Sequence, residues 1–366
     1  MESLEYPRIS RENNFDVVRL FAALQVCTGH TFSHFNIPGN GFTDLLAKFP
    51  GVTIFFALSG FLITSSWCHT KSIKHYIKNR FLRIFPALFI CFIVLQLTLI
   101  LLGYYNAASV KDPQIWMYWV GQLSLGQFFT PDSLRGFGVG TPNGSLWTIP
   151  IEIEFYIIIP LTFILLSRIN IKWKIIILAI LSLIVNIWIS FSVSEDGQTV
   201  AADLINSHKT LLYKLIGVSV APYLYCFLTG SLIYIYWDKI KSFFINKALY
   251  WLSIYLLFVY STGYSPSHSV TSFWILISNL LLACSSISAA FSFGNLYKFL
   301  YGIDLSYGIY IIHMIVVNLF IEFGYGYNLT HAFTAMLITF ALAFLLYKYI
   351  EKPSLKLKNK PSFKDS

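Results

Sequence analysis

The sequence predicts an all-α, polytopic membrane protein, and three observations carry that reading. First, 56% of the 366 residues are hydrophobic and only 12% charged, about half the ~25% charge of a soluble domain; mean hydropathy is +0.64. Second, the apolar residues fall into runs of roughly the 20 residues a helix needs to cross a hydrocarbon core. These are 15–36, 51–68, 84–103, 145–167, 173–193, 217–237, 247–262, 271–293, 303–323 and 330–349, about ten transmembrane helices. Third, Lys and Arg are unevenly shared between the connecting segments. With the N-terminus inside, the cytoplasmic segments hold Arg8 and Arg11, the basic residues from Lys71 to Arg83, Arg168, Lys172, Lys174, Lys239, Lys241, Lys247, Lys298 and the closing lysines. The opposite side holds Lys48, Lys111, Arg135, Lys209 and Lys214. That asymmetry predicts cytoplasmic N- and C-termini. It also absorbs most of the net charge of +9, so a nucleic-acid partner is not expected.

The runs use up the chain. Residues 1–352 read as a single membrane-embedded domain and 353–366, EKPSLKLKNKPSFKDS less its first two residues, as a short basic cytoplasmic tail. The first 14 residues lack the pattern of a secretory signal peptide. Cys27, Cys68, Cys91, Cys226 and Cys284 are scattered, with no CxxC and no His–Cys metal spacing, and read as buried small hydrophobes; no metal is expected. The sixth run is the weakest, broken by Pro222, and its first part is expected on the outer surface. The 104–144 segment is the longest external one. It carries an aromatic run, IWMYWVGQLSLGQFF, expected to dip into the membrane or form a lid, and then GFGVGTPNGS. Asn143-Gly-Ser and Asn328-Leu-Thr match the glycosylation pattern, which three residues often do by chance.

Polar outliers within the apolar runs carry the chemistry. In FDVVRLFAALQVCTGHTF, Arg19 and His30 are 11 residues apart; at ~100° and 1.5 Å per residue they return to within about 20° of one face, ~16 Å apart along the axis. Ionisable groups inside a membrane are costly, and each is a functional-site hypothesis; the plainer reading is an Arg that snorkels and a His bonded to a neighbouring helix. In the second run, FFALSGFLI puts Ser59 and Gly60 near mid-depth, where Gly allows close helix approach. Glu152 and Glu154 enter the fourth run from outside, and Tyr307 and His313 sit in the ninth. Polar groups from four runs thus converge in the middle and outer half of the membrane. A buried Glu near a His is a general-base arrangement and equally a proton relay. At the inner end, KHYIKNRFLRIFPAL places Arg80 and Arg83 on one helix face. Some of that charge is positive-inside signalling, and two such forks also suit a phosphorylated ligand.

These pieces, in this order, resemble the acyltransferase-3 family of bacterial integral-membrane acyltransferases. The matching segments are Arg19-x10-His30 with Asp16 ahead of it, FFALSGFLI (55–63), RFLRIFPAL (80–88), GSLWTIPIEIEFYIIIP (144–160), LSYGIYIIHMIV (305–316) and IEKP (350–353). The resemblance implies a stand-alone surface-polysaccharide O-acetyltransferase of the bacterial inner membrane. It would move acetyl from cytoplasmic acetyl-CoA to a sugar hydroxyl of a polysaccharide such as lipopolysaccharide O-antigen, or of a lipid-linked oligosaccharide. By position it implies His30 as general base with Arg19 and Glu152 as catalytic partners, and Arg80 and Arg83 as coenzyme A phosphate contacts. Ser59, Trp147, Tyr307 and His313 would line the substrate. Pro150, Glu154 and Ile315 stand where the family often has Ser, Gln and Pro. Membrane lipid is the surrounding partner.

Two other classes compete. A proton-coupled transporter or flippase of a lipid-linked saccharide would use His30, Glu152 and His313 to carry protons without making a bond. A polysaccharide polymerase or glycosyltransferase would carry larger external loops richer in charge. Label transferred from acetyl-CoA to a glycan separates the acyltransferase from the transporter, and the short, charge-poor external loops speak against the polymerase.

Overall fold

The computed structural model describes residues 6–10, 12–70, 72–106, 109–165, 169–194, 215–294, 296–300 and 302–359. Among these all regular structure is helical. In chain order the helices are α1 (Phe15–His34), α2 (Gly41–Ala47), α3 (Gly51–His69), α4 (Ile73–Leu101), α5 (Pro113–Gln122), α6 (Thr148–Ile164), α7 (Ile171–Ser194) and α8 (Leu224–Ile235). They continue with α9 (Ala248–Thr262), α10 (Phe273–Ala290), α11 (Ser306–Glu322) and α12 (Leu329–Leu346), then a π-helical turn (Tyr347–Glu351) and α13 (Lys352–Lys356). Each of the ten apolar runs contains a helix. Among the described residues six helical stretches are long and apolar enough to cross a membrane: Gly41–His69, Ile73–Leu101, Gly144–Ile164, Ile171–Ser190, Phe273–Ala290 and Leu329–Lys356. Trp237–Phe243 and Ala248–Thr262, bent by 75°, make a seventh if they form one span. The protein is a polytopic helical membrane protein. α8 and α11 are apolar but shorter. α1 falls outside the set because Asp16, Arg19, Gln25, His30 and His34 interrupt its apolar run.

Helix ends follow local chemistry. α4 starts at Ile73, well before the apolar run at 84, because Ser72 caps it by accepting from the His75 N–H. Charged residues lower hydropathy without breaking a helix, so Arg80 and Arg83 ride on the same helix as the apolar span. Pro222 lies just before α8, which starts at Leu224, so the missing proline N–H breaks no intrahelical bond. Gly144–Trp147 forms a 3-10 turn leading into α6. The first part of the expected outer-surface segment before α8, the basic residues Arg11, Lys71, Arg168, Lys209 and Lys214, and the last seven tail residues lie outside the described residues.

The chain forms two compact units. One comprises Met1–Ala22, Leu45–His69 and Pro150–Gly302; the other comprises Ala23–Asp44, Thr70–Ile149 and Ile303–Ser366. In the first, α3 and α8 pack backbone to backbone. A Cβ on Gly60 would overlap the Phe227 carbonyl, and one on Gly230 the Ala57 carbonyl. Close approach of this kind lets Thr64 donate to Ser231 at 2.8 Å. Phe61 then meets Tyr234 and Trp237 edge-on, at 5.5 and 5.3 Å between centroids. Buried Asn14 fixes the start of α1: its amide donates to the Ser292 and Gly294 carbonyls, and its oxygen accepts from the Tyr297 N–H at 2.8 Å. In the second unit, Phe35 packs with Val316, Val317, Ala332 and Ala335, joining the end of α1 to α11 and α12.

Candidate active site

The second unit gathers several of the predicted residues around α11. His313 is fully buried, and its Nε2 lies 2.9 Å from Nδ1 of half-buried His30. The rings are near-parallel, 29° apart with centroids at 5.1 Å. His313 Nδ1 lies 3.1 Å from the Ile309 carbonyl one turn back. The Tyr310 ring stands edge-on to His313, and its hydroxyl bonds Thr148 Oγ1 at 2.8 Å. His34, one turn beyond His30, brings a third imidazole with its ring 5.9 Å away.

Tyr307, two turns before His313 on α11, donates to the Ile84 carbonyl at 3.0 Å, tying α11 to α4. Beside it, Arg83 pairs with Asp304 at 2.5 Å, both largely buried. Asp304 Oδ1 accepts from the Ser306 N–H and hydroxyl at the start of α11. Arg80, one turn before Arg83, is half-buried with its guanidinium over the Tyr76 ring at 5.8 Å. Lys74 and Lys78 precede it on α4, Lys74 exposed and Lys78 half-exposed. That donor set has the sign and forked geometry an anionic ligand needs.

A polar strap runs along α11 past His313. Asn143 donates to the Ile311 carbonyl at 2.8 Å and Ser145 to the Tyr310 carbonyl at 3.0 Å. Further along, buried Asn318 donates to the Thr141 and Pro142 carbonyls and accepts from the Val139 N–H, each at 2.9 Å. Glu322 accepts from the Gly138 N–H at 3.1 Å and from the Tyr104 hydroxyl at 2.7 Å. Burial, then the bond to Glu322 and its charge, push the Tyr104 phenol up to about 12, so it stays a donor. Asn143 is buried, which removes it as a glycosylation acceptor. Trp147 closes the 3-10 turn at the end of this strap and is half-buried.

The remaining predicted residues belong to the first unit. Arg19 shares α1 with His30 and is half-buried; Ser59 lies on α3, half-buried beside Gly60. Glu152 accepts from the Tyr156 hydroxyl one turn along α6 at 2.5 Å, and Glu154 accepts from the Val220 N–H at 2.8 Å.

Sequence reading missed Asp304, Asn318 and Glu322. Their signal was present: an acid two residues before the Ser that opens an apolar helix, and two polar residues four apart within it, hence on one face. Asn143 was visible only as a chance glycosylation match. Among the described residues no cluster of His, Cys, Asp or Glu is arranged to hold a metal ion.

Similarity to known proteins gives the family of the chain. The acyltransferase domain of the acyltransferase-3 family matches residues 12–348. Nodulation protein 10 of Rhizobium leguminosarum bv. viciae is 33% identical, covering 94% of this chain and 94% of its own. An O-acetyl transferase of Shigella phage Sf6 is 28% identical over 93% of this chain and 96% of its own. Peptidoglycan O-acetyltransferase OatA of Listeria monocytogenes is 29% identical over 31% of this chain and 19% of its own. No solved structure matches. Matched along nearly its whole length, this helical membrane protein belongs to the acyltransferase-3 family.

Proposed function

We propose that the protein is an O-acetyltransferase that moves acetyl from acetyl-CoA, on the cytoplasmic side, to a sugar hydroxyl of a surface polysaccharide or its lipid-linked precursor. The membrane is the bacterial inner membrane, crossed about ten times with both termini inside, and residues 1–352 act as one domain. The observation that carries the reading is His30 held at 2.9 Å by a fully buried second histidine, within a chain of acyltransferase family whose relatives include proteins named O-acetyltransferases. A sugar hydroxyl is a weak nucleophile and needs a base as it attacks a thioester. His30 takes the hydroxyl proton as the new C–O bond forms. The C–S bond then breaks, and His30 returns the proton to the departing thiolate, leaving an ester and a free thiol. Arg80, with Lys74 and Lys78, offers positive charge for the donor's phosphates. Arg83, paired with Asp304, adds its charge beside them. Arg19 and Glu152 are assigned catalytic roles on their motif positions alone, and Ser59, Trp147 and Tyr307 acceptor contacts on the same ground.

The test is mass spectrometry of the cell-surface glycan with and without the gene, after feeding deuterated acetate. An ester-linked acetyl mass that appears only with the gene supports the proposal. Unchanged acylation together with altered export of unmodified glycan supports the transporter reading instead.

A further inference from the structure

We infer that His313 sets the tautomer of His30 and so decides which His30 nitrogen takes the acceptor's proton. The inference deepens the acyl-transfer reading and rests on it.

The argument starts at the Ile309 carbonyl. A carbonyl oxygen only accepts, so His313 Nδ1, 3.1 Å away, carries its hydrogen there. A neutral imidazole has one N–H, which leaves His313 Nε2 with a lone pair. That lone pair faces His30 Nδ1 at 2.9 Å, so His30 must donate from Nδ1. His30 Nε2 is then bare and basic, on the side of the ring away from His313. Without this partner, His30 is free to place its proton on Nε2, the tautomer that can accept only through Nδ1.

The ring of His313 is held in this orientation from several sides. It is completely buried on α11, its own helix supplies the fixing carbonyl, and Tyr310 stands against it, itself tied to Thr148. The logic is that of a carboxylate orienting a catalytic imidazole, with one difference. A neutral histidine does the orienting, so no anion has to be desolvated at this position. His313 therefore acts through His30 as a positioning residue, not as the substrate contact that its motif position implies.

The test uses full-length protein in detergent, with labelled acetyl-CoA as donor and alkali-deacetylated polysaccharide from gene-carrying cells as acceptor. By analogy with wrong-tautomer variants of catalytic triads, His313→Leu should lower kcat by roughly 10²–10⁴-fold and leave the acceptor KM unchanged. His313→Gln places an amide oxygen near the former Nε2 and should recover at least about tenfold of that loss, an increment of ~1.4 kcal/mol. A His313→Leu protein with wild-type kcat, a loss confined to acceptor KM, or a Gln variant as slow as Leu would each overturn the inference.

Nitrogen NMR of wild-type protein labelled with ¹⁵N-histidine reads the tautomer directly, without reliance on variant folding. The resonance pair that disappears in His30→Ala should show a protonated Nδ1 and a bare Nε2. The reverse assignment overturns the inference. Wild-type protein that shows this tautomer yet transfers no acetyl contradicts the acyl-transfer reading and leaves the pairing geometry standing.

Discussion

Arg83 and Asp304 meet at 2.5 Å across 221 positions of sequence, joining α4 to the start of α11. The same carboxylate caps α11 through Ser306. One of the two arginines expected to face phosphate thus spends a donor on holding the helix that carries His313. Removing one partner of a buried pair leaves an uncompensated charge, so Asp304→Asn should cost roughly 3 kcal/mol. The amide oxygen of Asn still accepts from the Ser306 N–H, which limits the loss to the ion pair. A lowered melting temperature in detergent checks it, and an unchanged one would show that the pair contributes nothing.

Arg80 and Arg83 should separate in kinetics. Charged hydrogen bonds contribute about 1.5–3 kcal/mol, so Arg80→Ala should raise the acetyl-CoA KM roughly 10–100-fold with a smaller loss of thermal stability than Arg83→Ala, whose buried ion pair goes with it. Arg83→Ala should lower stability as well. Steady-state rates at varied donor concentration, with melting curves of the same preparations, distinguish the two.

Gly138 and Asn318 form a coupled pair. Gly138 sits at φ +54, and a Cβ there would overlap the Asn318 side chain. Gly138→Ala should therefore destabilise by roughly 2–4 kcal/mol, through backbone strain and lost strap bonds together. In an Asn318→Ala background the added cost should be smaller, because the overlaps with the Asn318 amide carbon and oxygen are gone while the overlap with its Cβ and the backbone strain remain. A double-mutant cycle on melting temperatures measures the coupling, and strict additivity would contradict the described contact.

Gly60 offers the sharpest packing test. Its would-be Cβ meets a backbone carbonyl, which cannot turn aside as a side chain can. Gly60→Ala should force α3 and α8 apart and cost at least about 2 kcal/mol by overpacking, seen as reduced folded yield. Ala at Gly217, where nothing lies within 4 Å, should be tolerated.

Much of the helical framework was legible because hydrophobic runs of membrane length leave little choice of structure. Pro222 marked a real helix start, and Gly60 a real close approach. The start of α4 was hidden because hydropathy registers Lys74–Arg83 as polar while the backbone continues helical from Ser72. His30 and His313 each stood out as imidazoles near mid-depth, yet nothing in a pattern brings two nitrogens 283 positions apart to 2.9 Å. Asn318 and Glu322 shared one helix face in the sequence, yet their partners stayed hidden because, apart from the Tyr104 hydroxyl, these are backbone groups of a loop, which carry no sequence signature. Asp304 was hidden by Arg83, which read as a ligand contact before its partner was known.

The most direct measurement is acetyl transfer by His30→Ala, purified in detergent and shown by its melting curve to be folded. With labelled acetyl-CoA and deacetylated polysaccharide, loss of general-base action should lower ester formation by roughly 10²–10⁴-fold. A folded His30→Ala protein that labels the polysaccharide at the wild-type rate would contradict the account.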